Sequence, residues 1–183
     1  MALLQSKAKD LGMACPDFSL PSVVDDKIFT LKDFSSSKAL LVAFICNHCP
    51  YVQAIEDRLI ALKRTFDVKD FEIVGICSND AKRYPDDSKE QLKKRWLEKS
   101  YGFFYLHDAD QRAALAFDAV CTPDFFLFDQ KRQLFYHGQL DDNWQHPTNV
   151  KKQHLKEAIQ AILTDQPPPP DQKPSMGCSI KWK

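Results

Sequence analysis

Hydrophobic positions along the chain follow two rhythms. Ala39 to Ile45 is continuously apolar, and Phe71 to Cys77 is nearly so. Such runs fit strands buried on both faces, as in a parallel sheet covered by helices. Between them, after Pro50, the apolar residues Val52, Ile55, Leu59, Leu62 and Phe66 recur at helical spacing, with Glu56, Asp57, Arg58, Lys63 and Arg64 mostly between. That predicts an amphipathic helix of about four turns. Ser88 with Gln91 makes a capping box for a second helix running to about Ser100. Phe103 to Leu106 reads as a third strand, and Asp110 as the cap of a helix through about Asp118. Asp124–Phe128 and Gln133–His137 flank the turn Asp129-Gln130-Lys131, which calls for an antiparallel hairpin. Thr148 or Asn149 caps a last helix, whose stripe is Val150, Leu155, Ala158, Ile159 and Ile162. Near the start, Asp17–Leu20 and Ile28–Leu31, punctuated by Pro21 and Asp25-Asp26, predict a small N-terminal hairpin. Strands alternating with helices and ending in a hairpin and a helix predict an α/β layered domain with a mixed sheet.

Beyond Ile162 the pattern stops. Pro167 to Pro170 and Pro174 make a stiff, extended segment, and the chain closes on Met176 to Lys183. The expected division is a domain over 1–163 and a proline-rich tail over 164–183 that carries Cys178. A tail can be a disordered end. A cysteine and a tryptophan at its tip also fit a tail that docks on the domain, and both readings stay open.

Composition narrows the function. At 183 residues, 44% hydrophobic and 27% charged, the chain is long and apolar enough for one globular domain. Lys plus Arg and Asp plus Glu are both 25, so no overall basic field draws nucleic acid or an acidic membrane. The longest apolar run, Ala39 to Cys46, is too short to span a bilayer, and Met1 to Gly12 lacks the basic-then-apolar order of a signal peptide. A soluble cytoplasmic protein without nucleic-acid or membrane partners is expected. With 5 glycines there is little material for a nucleotide cradle, and no organic cofactor is expected.

The chemistry concentrates in Phe44-Ile45-Cys46-Asn47-His48-Cys49-Pro50-Tyr51, where a buried strand gives way to a helix. At such a junction Cys46 would meet free backbone N–H groups and the positive end of the helix, which favour a thiolate. Cys49 lies about one turn further on, so the two sulfurs can meet on one face. The expected roles are Cys46 as exposed attacker, Cys49 as resolving thiol and His48 as a charge that tunes them, with Tyr51 on the rim. A lone CxxC at a strand–helix junction in an α/β pattern is a redox motif. No second CxxC or Cys-His pair stands at zinc-ligand spacing, and no metal is expected. A Cu(I) or Zn(II) thiolate site remains the alternative use of these cysteines.

Cys121-Thr122-Pro123-Asp124 precedes the penultimate strand. Read with the CxxC, the chain resembles the thioredoxin superfamily, and within it the small peroxiredoxin-like proteins related to the AhpC/TSA group. The resemblance runs from Gly12 to about Ile162. It is carried by Cys15-Pro16-Asp17-Phe18-Ser19-Leu20, Cys46-Asn47-His48-Cys49-Pro50, Cys121 to Asp129 and Tyr136 to Asp142, with Gly177 to Trp182 resembling that group's ending. It implies a three-layer thioredoxin-like fold with a mixed central sheet and the N-terminal hairpin as an extension. It implies a cis Thr122–Pro123 bond facing the CxxC, and that Thr122, Pro123, Asn47 and Tyr51 bind substrate. The implied activity is thiol–disulfide oxidoreduction, acting on a disulfide-bearing protein or a small thiol. An electron donor such as a thioredoxin or glutathione would complete the cycle.

Two departures bear on activity. Typical peroxiredoxins carry a threonine three residues before the attacking cysteine, where this chain has Ala43; peroxide reduction is therefore the second reading. Thioredoxins carry Trp-Cys-Gly-Pro-Cys, where this chain has Ile45 before the first cysteine and Asn47-His48 between the pair.

Cys121 and Cys178 are auxiliary redox candidates. The stretch from Ile162 to Cys178 is long enough to return Cys178 to Cys46 or Cys121, where it could form a disulfide. Cys77, ending an apolar run, reads as an inert core thiol. The oligomeric state is left open.

Overall fold

A strand whose residues are all apolar must be covered on both faces, and the central strand is. The computed structural model describes residues 3–183. Its elements in order are β1 (Leu3–Gln5), β2 (Ser19–Pro21), β3 (Ile28–Thr30), β4 (Ala39–Phe44), α1 (Pro50–Thr65), β5 (Phe71–Cys77), α2 (Lys89–Lys99), β6 (Phe104–His107), α3 (Arg112–Phe117), β7 (Cys121–Thr122), β8 (Asp124–Phe128), β9 (Leu134–His137), α4 (His154–Leu163) and β10 (Met176–Ser179). The central sheet has the order β6-β5-β4-β8-β9. β4 pairs parallel with β5 and antiparallel with β8, β5 pairs parallel with β6, and β8 pairs antiparallel with β9. The mixed sheet read from the sequence is therefore present.

Alternation along β4 separates the two cores. Leu41 and Ala43 pack with Ile55 and Leu59 of α1 and with Leu155 and Ile159 of α4. Leu40, Val42 and Phe44 pack on the other face with Ala113, Ala114 and Phe117 of α3. Phe44 meets the ring of Phe117 edge-on at 5.4 Å. The β2–β3 hairpin forms as expected, and the bridge between Ser22 and Leu106 ties it to the free edge of β6. This is a thioredoxin-like α/β fold with extra strands.

Two local expectations are corrected, and of the two readings left open for the tail one is found. α3 is not capped by Asp110 alone: the buried Asp108 accepts from the N–H groups of Ala113 at 3.2 Å and Ala114 at 3.0 Å, with Asp110 accepting only from Arg112. Position Asp108 lies further upstream than the usual N-cap offset, because Gln111 turns the chain with a positive φ of 64°. α4 begins at His154, not after Thr148 or Asn149, since Pro147–Asn149 form a separate 3-10 turn. Finally, the proline-rich tail returns to the domain. β10 is the middle strand of a second sheet of order β1-β10-β7, pairing antiparallel with both neighbours.

Candidate active site

The site forms where the β4–β5 ladder ends. Ile45 still donates its N–H to the Ile76 carbonyl at 3.0 Å, and the chain leaves the sheet at Cys46. Pro50 has no N–H to waste and occupies the first position of α1, which makes Cys49 the N-cap residue. Helix α1 thus begins later than the activation of Cys46 requires. It is Cys49 that sits against the free N–H groups of the helix. Its sulfur makes no full capping hydrogen bond, but the Val52 N–H still favours its charged form.

The segment between the cysteines is clamped by a buried carboxylate. Asp87 Oδ1 accepts from the backbone N–H of Asn47 at 2.8 Å and of His48 at 3.3 Å. Asp87 Oδ2 meets His48 Nδ1 at 2.5 Å and accepts from Asn79 Nδ2 at 2.8 Å. Burial pushes the Asp87 carboxyl up, but the hydrogen bonds from His48, Asn79 and Asn47 outweigh it and hold the group below the ordinary aspartate range. The His48 ring stacks on Tyr84 at 4.9 Å. Gln53 Nε2 closes the clamp on the Asn47 carbonyl at 2.7 Å. Asn47 Oδ1 and His48 Nε2 are buried without a hydrogen-bond partner.

On the other side lies the loop before β8, where the Thr122–Pro123 bond is cis. Thr122 touches both sulfurs: its hydroxyl is 3.4 Å from Cys46 Sγ, and its carbonyl accepts from the Cys49 thiol at 3.1 Å. The two thiols also act on each other's titration, raising Cys46 and lowering Cys49.

One expectation about the pair is overturned: Cys46 is not exposed, at 1% accessible, and Cys49 is at 0%. The electrostatics favour the thiolate on Cys49 over Cys46. Burial pushes Cys46 up first, its hydrogen bond to Cys49 adds to this, and the negative charge of Asp87 opposes a second one nearby. Cys49 is lowered to about 5, because the Cys46 thiol donates to it, and this outweighs burial; the thiol and N–H of Cys178 and the N–H of Val52 help. The Thr122 carbonyl opposes this, since only the thiol form of Cys49 can donate to it. His48 does not bring a bare positive charge to the sulfurs, because Asp87 is paired with it.

Of the remaining candidates, Cys121 points its sulfur at the Pro123 carbonyl, 3.7 Å away, and burial pushes its thiol up. Cys178 lies opposite Thr122 on the neighbouring strand, where it acts on the titration of both Cys49 and Cys121. Tyr51 packs on Trp144 at 4.3 Å. Trp144 lines a cavity of about 330 Å³ with Ile55, Pro123, Phe125, Leu140 and Met176. Cys77 is a fully buried thiol at the end of β5, raised by burial. Sequence reasoning missed Asp87, Asn79 and Tyr84. The run Ser78-Asn79-Asp80 after a buried strand was the one available signal.

Cys46 Sγ, a ring nitrogen of His48 and a carboxylate oxygen of Asp87 all lie within 4.8 Å of one another. As a metal set they fit poorly: Asp87 is spent on four hydrogen bonds, one of them to His48, and Cys46 resists deprotonation.

A CxxC at the start of the first helix, facing a cis-proline loop in this fold, is consistent with a thiol–disulfide oxidoreductase active site. The chain belongs to the AhpC/TSA family, whose model matches residues 11–137. It is similar over its whole length to an uncharacterized conserved protein from Geobacillus kaustophilus, with 43% identity, 97% of that chain covered and a TM-score of 0.94. A hypothetical protein from Sinorhizobium meliloti 1021 shares 42% identity over 98% of each chain, at a TM-score of 0.91. The thioredoxin domain of a thiol-disulfide oxidoreductase from Bacteroides vulgatus shares the fold, at 19% identity and a TM-score of 0.62 over 77% of this chain and 96% of that one. No curated protein matches the chain. Among the described residues, no helix is long and apolar enough to cross a membrane.

Proposed function

We propose that Cys46 and Cys49 cycle between dithiol and disulfide while exchanging electrons with an outside disulfide or thiol. The observation that carries this is the convergence of both sulfurs on Thr122 beside its cis bond to Pro123, with Cys46 Sγ 3.4 Å from its hydroxyl and Cys49 Sγ 3.1 Å from its carbonyl. Two thiols three residues apart at one helix start can close and open an S–S bond between them, and the thiolate is favoured on Cys49.

In the reductive direction, the Cys49 thiolate attacks one sulfur of the incoming disulfide. A mixed disulfide forms and the substrate's other sulfur leaves as a thiolate. Cys46 then gives up its proton and attacks Cys49, closing the Cys46–Cys49 disulfide and releasing the substrate thiol. Asp87 and His48 hold the Asn47–His48 turn rigid, so the two sulfurs stay in line. The free polar atoms Asn47 Oδ1 and His48 Nε2 suit a substrate's backbone amide. The apolar cavity beside Pro123, walled by Trp144 and Met176, suits a side chain next to the substrate cysteine. A small thiol such as glutathione, or a protein dithiol such as a thioredoxin, would return the pair to the dithiol.

Steady-state reduction of a small mixed disulfide, coupled to thiol consumption, tests this reading. The protein should turn over, Cys49→Ser should abolish turnover, and Cys46→Ser should stall as a mixed disulfide on Cys49. An unchanged rate in both variants refutes it. Trapping on Cys46 in Cys49→Ser would reverse the assigned order of attack.

A further inference from the structure

A third sulfur lies at the site, and the dithiol cycle leaves it idle. β10 runs antiparallel beside β7, with Cys178 opposite Thr122 and Ser179 opposite Cys121. Facing Cα atoms in such a ladder stand roughly 4.5–5.5 Å apart. Thr122 is also the residue that touches Cys46 through its hydroxyl and Cys49 through its carbonyl. One residue therefore gathers three cysteines, and the Cys49 and Cys178 thiols shift each other's titration.

The approach of this strand is built into the sequence. A Cβ on Gly177 would stand 1.9 Å from the Thr122 carbonyl oxygen, so only glycine lets β10 come this near. Both flanks are pinned. Ser175 Oγ donates to the Gly138 carbonyl at 2.7 Å, and Ile180 N–H to the Val120 carbonyl at 2.9 Å. Lys181 N–H donates to Asn79 Oδ1 at 2.8 Å, and Asn79 in turn binds Asp87. An extended segment with a central cysteine, paired in register with the residue before Pro123, has the form a bound disulfide peptide would take. Here the chain itself supplies it.

We propose that Cys178 is a third redox cysteine, an internal substrate that exchanges with the Cys46–Cys49 disulfide to give a Cys49–Cys178 disulfide. The step rests on the dithiol reading above. The Cys178 thiol loses its proton and its sulfur bonds to the sulfur of Cys49. The Cys46–Cys49 bond breaks, and Cys46 takes the electron pair and a proton. One S–S bond forms and one breaks, with no net oxidation. The product locks β10 across the site, and an outside thiol must open it before another substrate can pair with Thr122.

Full-length protein oxidised with glutathione disulfide, quenched in acid and mapped by mass spectrometry tests this. Wild type should contain both Cys46–Cys49 and Cys49–Cys178. Cys46→Ser should convert to Cys49–Cys178, and adding Gly177→Ala should lower that yield several-fold. Oxidised Cys46→Ser in which Cys178 stays a thiol, or carries only glutathione, overturns the proposal even where wild type forms Cys46–Cys49. Failure of Cys178→Ser to form Cys46–Cys49 overturns the dithiol reading, and the exchange step with it.

Discussion

The Asp87 carboxylate meets His48 Nδ1 at 2.5 Å, and this contact ties a loop far along the chain to the turn between the redox cysteines. The same carboxylate takes both backbone N–H groups of that turn. Removing it leaves buried donors without partners, at about 1–3 kcal/mol each. Asp87→Ala is therefore expected to cost about 2–4 kcal/mol in urea unfolding. Because its folded pKa is lowered, the Asp87 contribution is complete above the ordinary aspartate value of about 3.9 and fades as pH falls through the folded value. The wild-type advantage over Asp87→Asn should shrink across that acid range. An advantage that grows on acidification would contradict the clamp.

The shared proton of the sulfur pair gives a second expectation. Thiolate ultraviolet absorbance of the reduced protein should rise with a midpoint near about 5, the lowered value of Cys49. Cys49→Ser should lose this step. Cys46→Ala should move it upward, because the donor that favours the charge is gone. In the unfolded chain a thiol titrates near about 8.5. The reduced fold should accordingly gain stability as pH rises from about 5 toward the unfolded value, and lose that gain as pH falls again. Above the unfolded value Cys46, held protonated by burial, acts in the opposite sense.

At the start of β8, Asp124 is buried with His137 Nε2 at 2.9 Å and its Oδ2 without a partner. Burial raises its carboxyl despite His137. A raised folded pKa means stability that is complete below about 3.9 and lost as pH rises through the folded value. Asp124→Asn should keep the bond to His137 and flatten this loss, so its thermal midpoint should exceed wild type at neutral pH and converge with it in acid. A variant less stable at every pH would show that the charged form is needed.

Cys77 separates packing from chemistry. It is fully buried at the end of β5, with its thiol raised by burial. Cys77→Ser should cost about 1–3 kcal/mol by burying a hydroxyl, while the redox titration of Cys46 and Cys49 stays where it is. A shifted titration would bring Cys77 into the site.

The central sheet was legible because Ala39–Phe44 and Phe71–Cys77 can only be strands covered on both sides, and the spacing after Pro50 can only face one of those covers. The CxxC was legible because it stood at the junction between them. What the sequence hid were distances across the chain. Nothing local marks Asp87 as the partner of His48, because the pairing depends on how the segment after β5 folds back. The identity of the acidic thiol was hidden too, because it turns mainly on Cys46 and on the distant Cys178, with the N–H of Val52 at the helix start adding less. The tail was ambiguous for a similar reason. Its prolines read as a spacer, and only the placement of Gly177 and Cys178 against Thr122 explains why Met-Gly-Cys-Ser follows them.

The central claim is that Cys46 and Cys49 share one reversible disulfide. Equilibration of Cys178→Ser protein in dithiothreitol redox buffers, with acid quench and mass counting of alkylated thiols, tests it most directly. The account predicts that the Cys46 and Cys49 thiols disappear together in a single two-electron transition and return together on reduction. Persistence of both thiols at the oxidising end, or loss of one without the other, would contradict it.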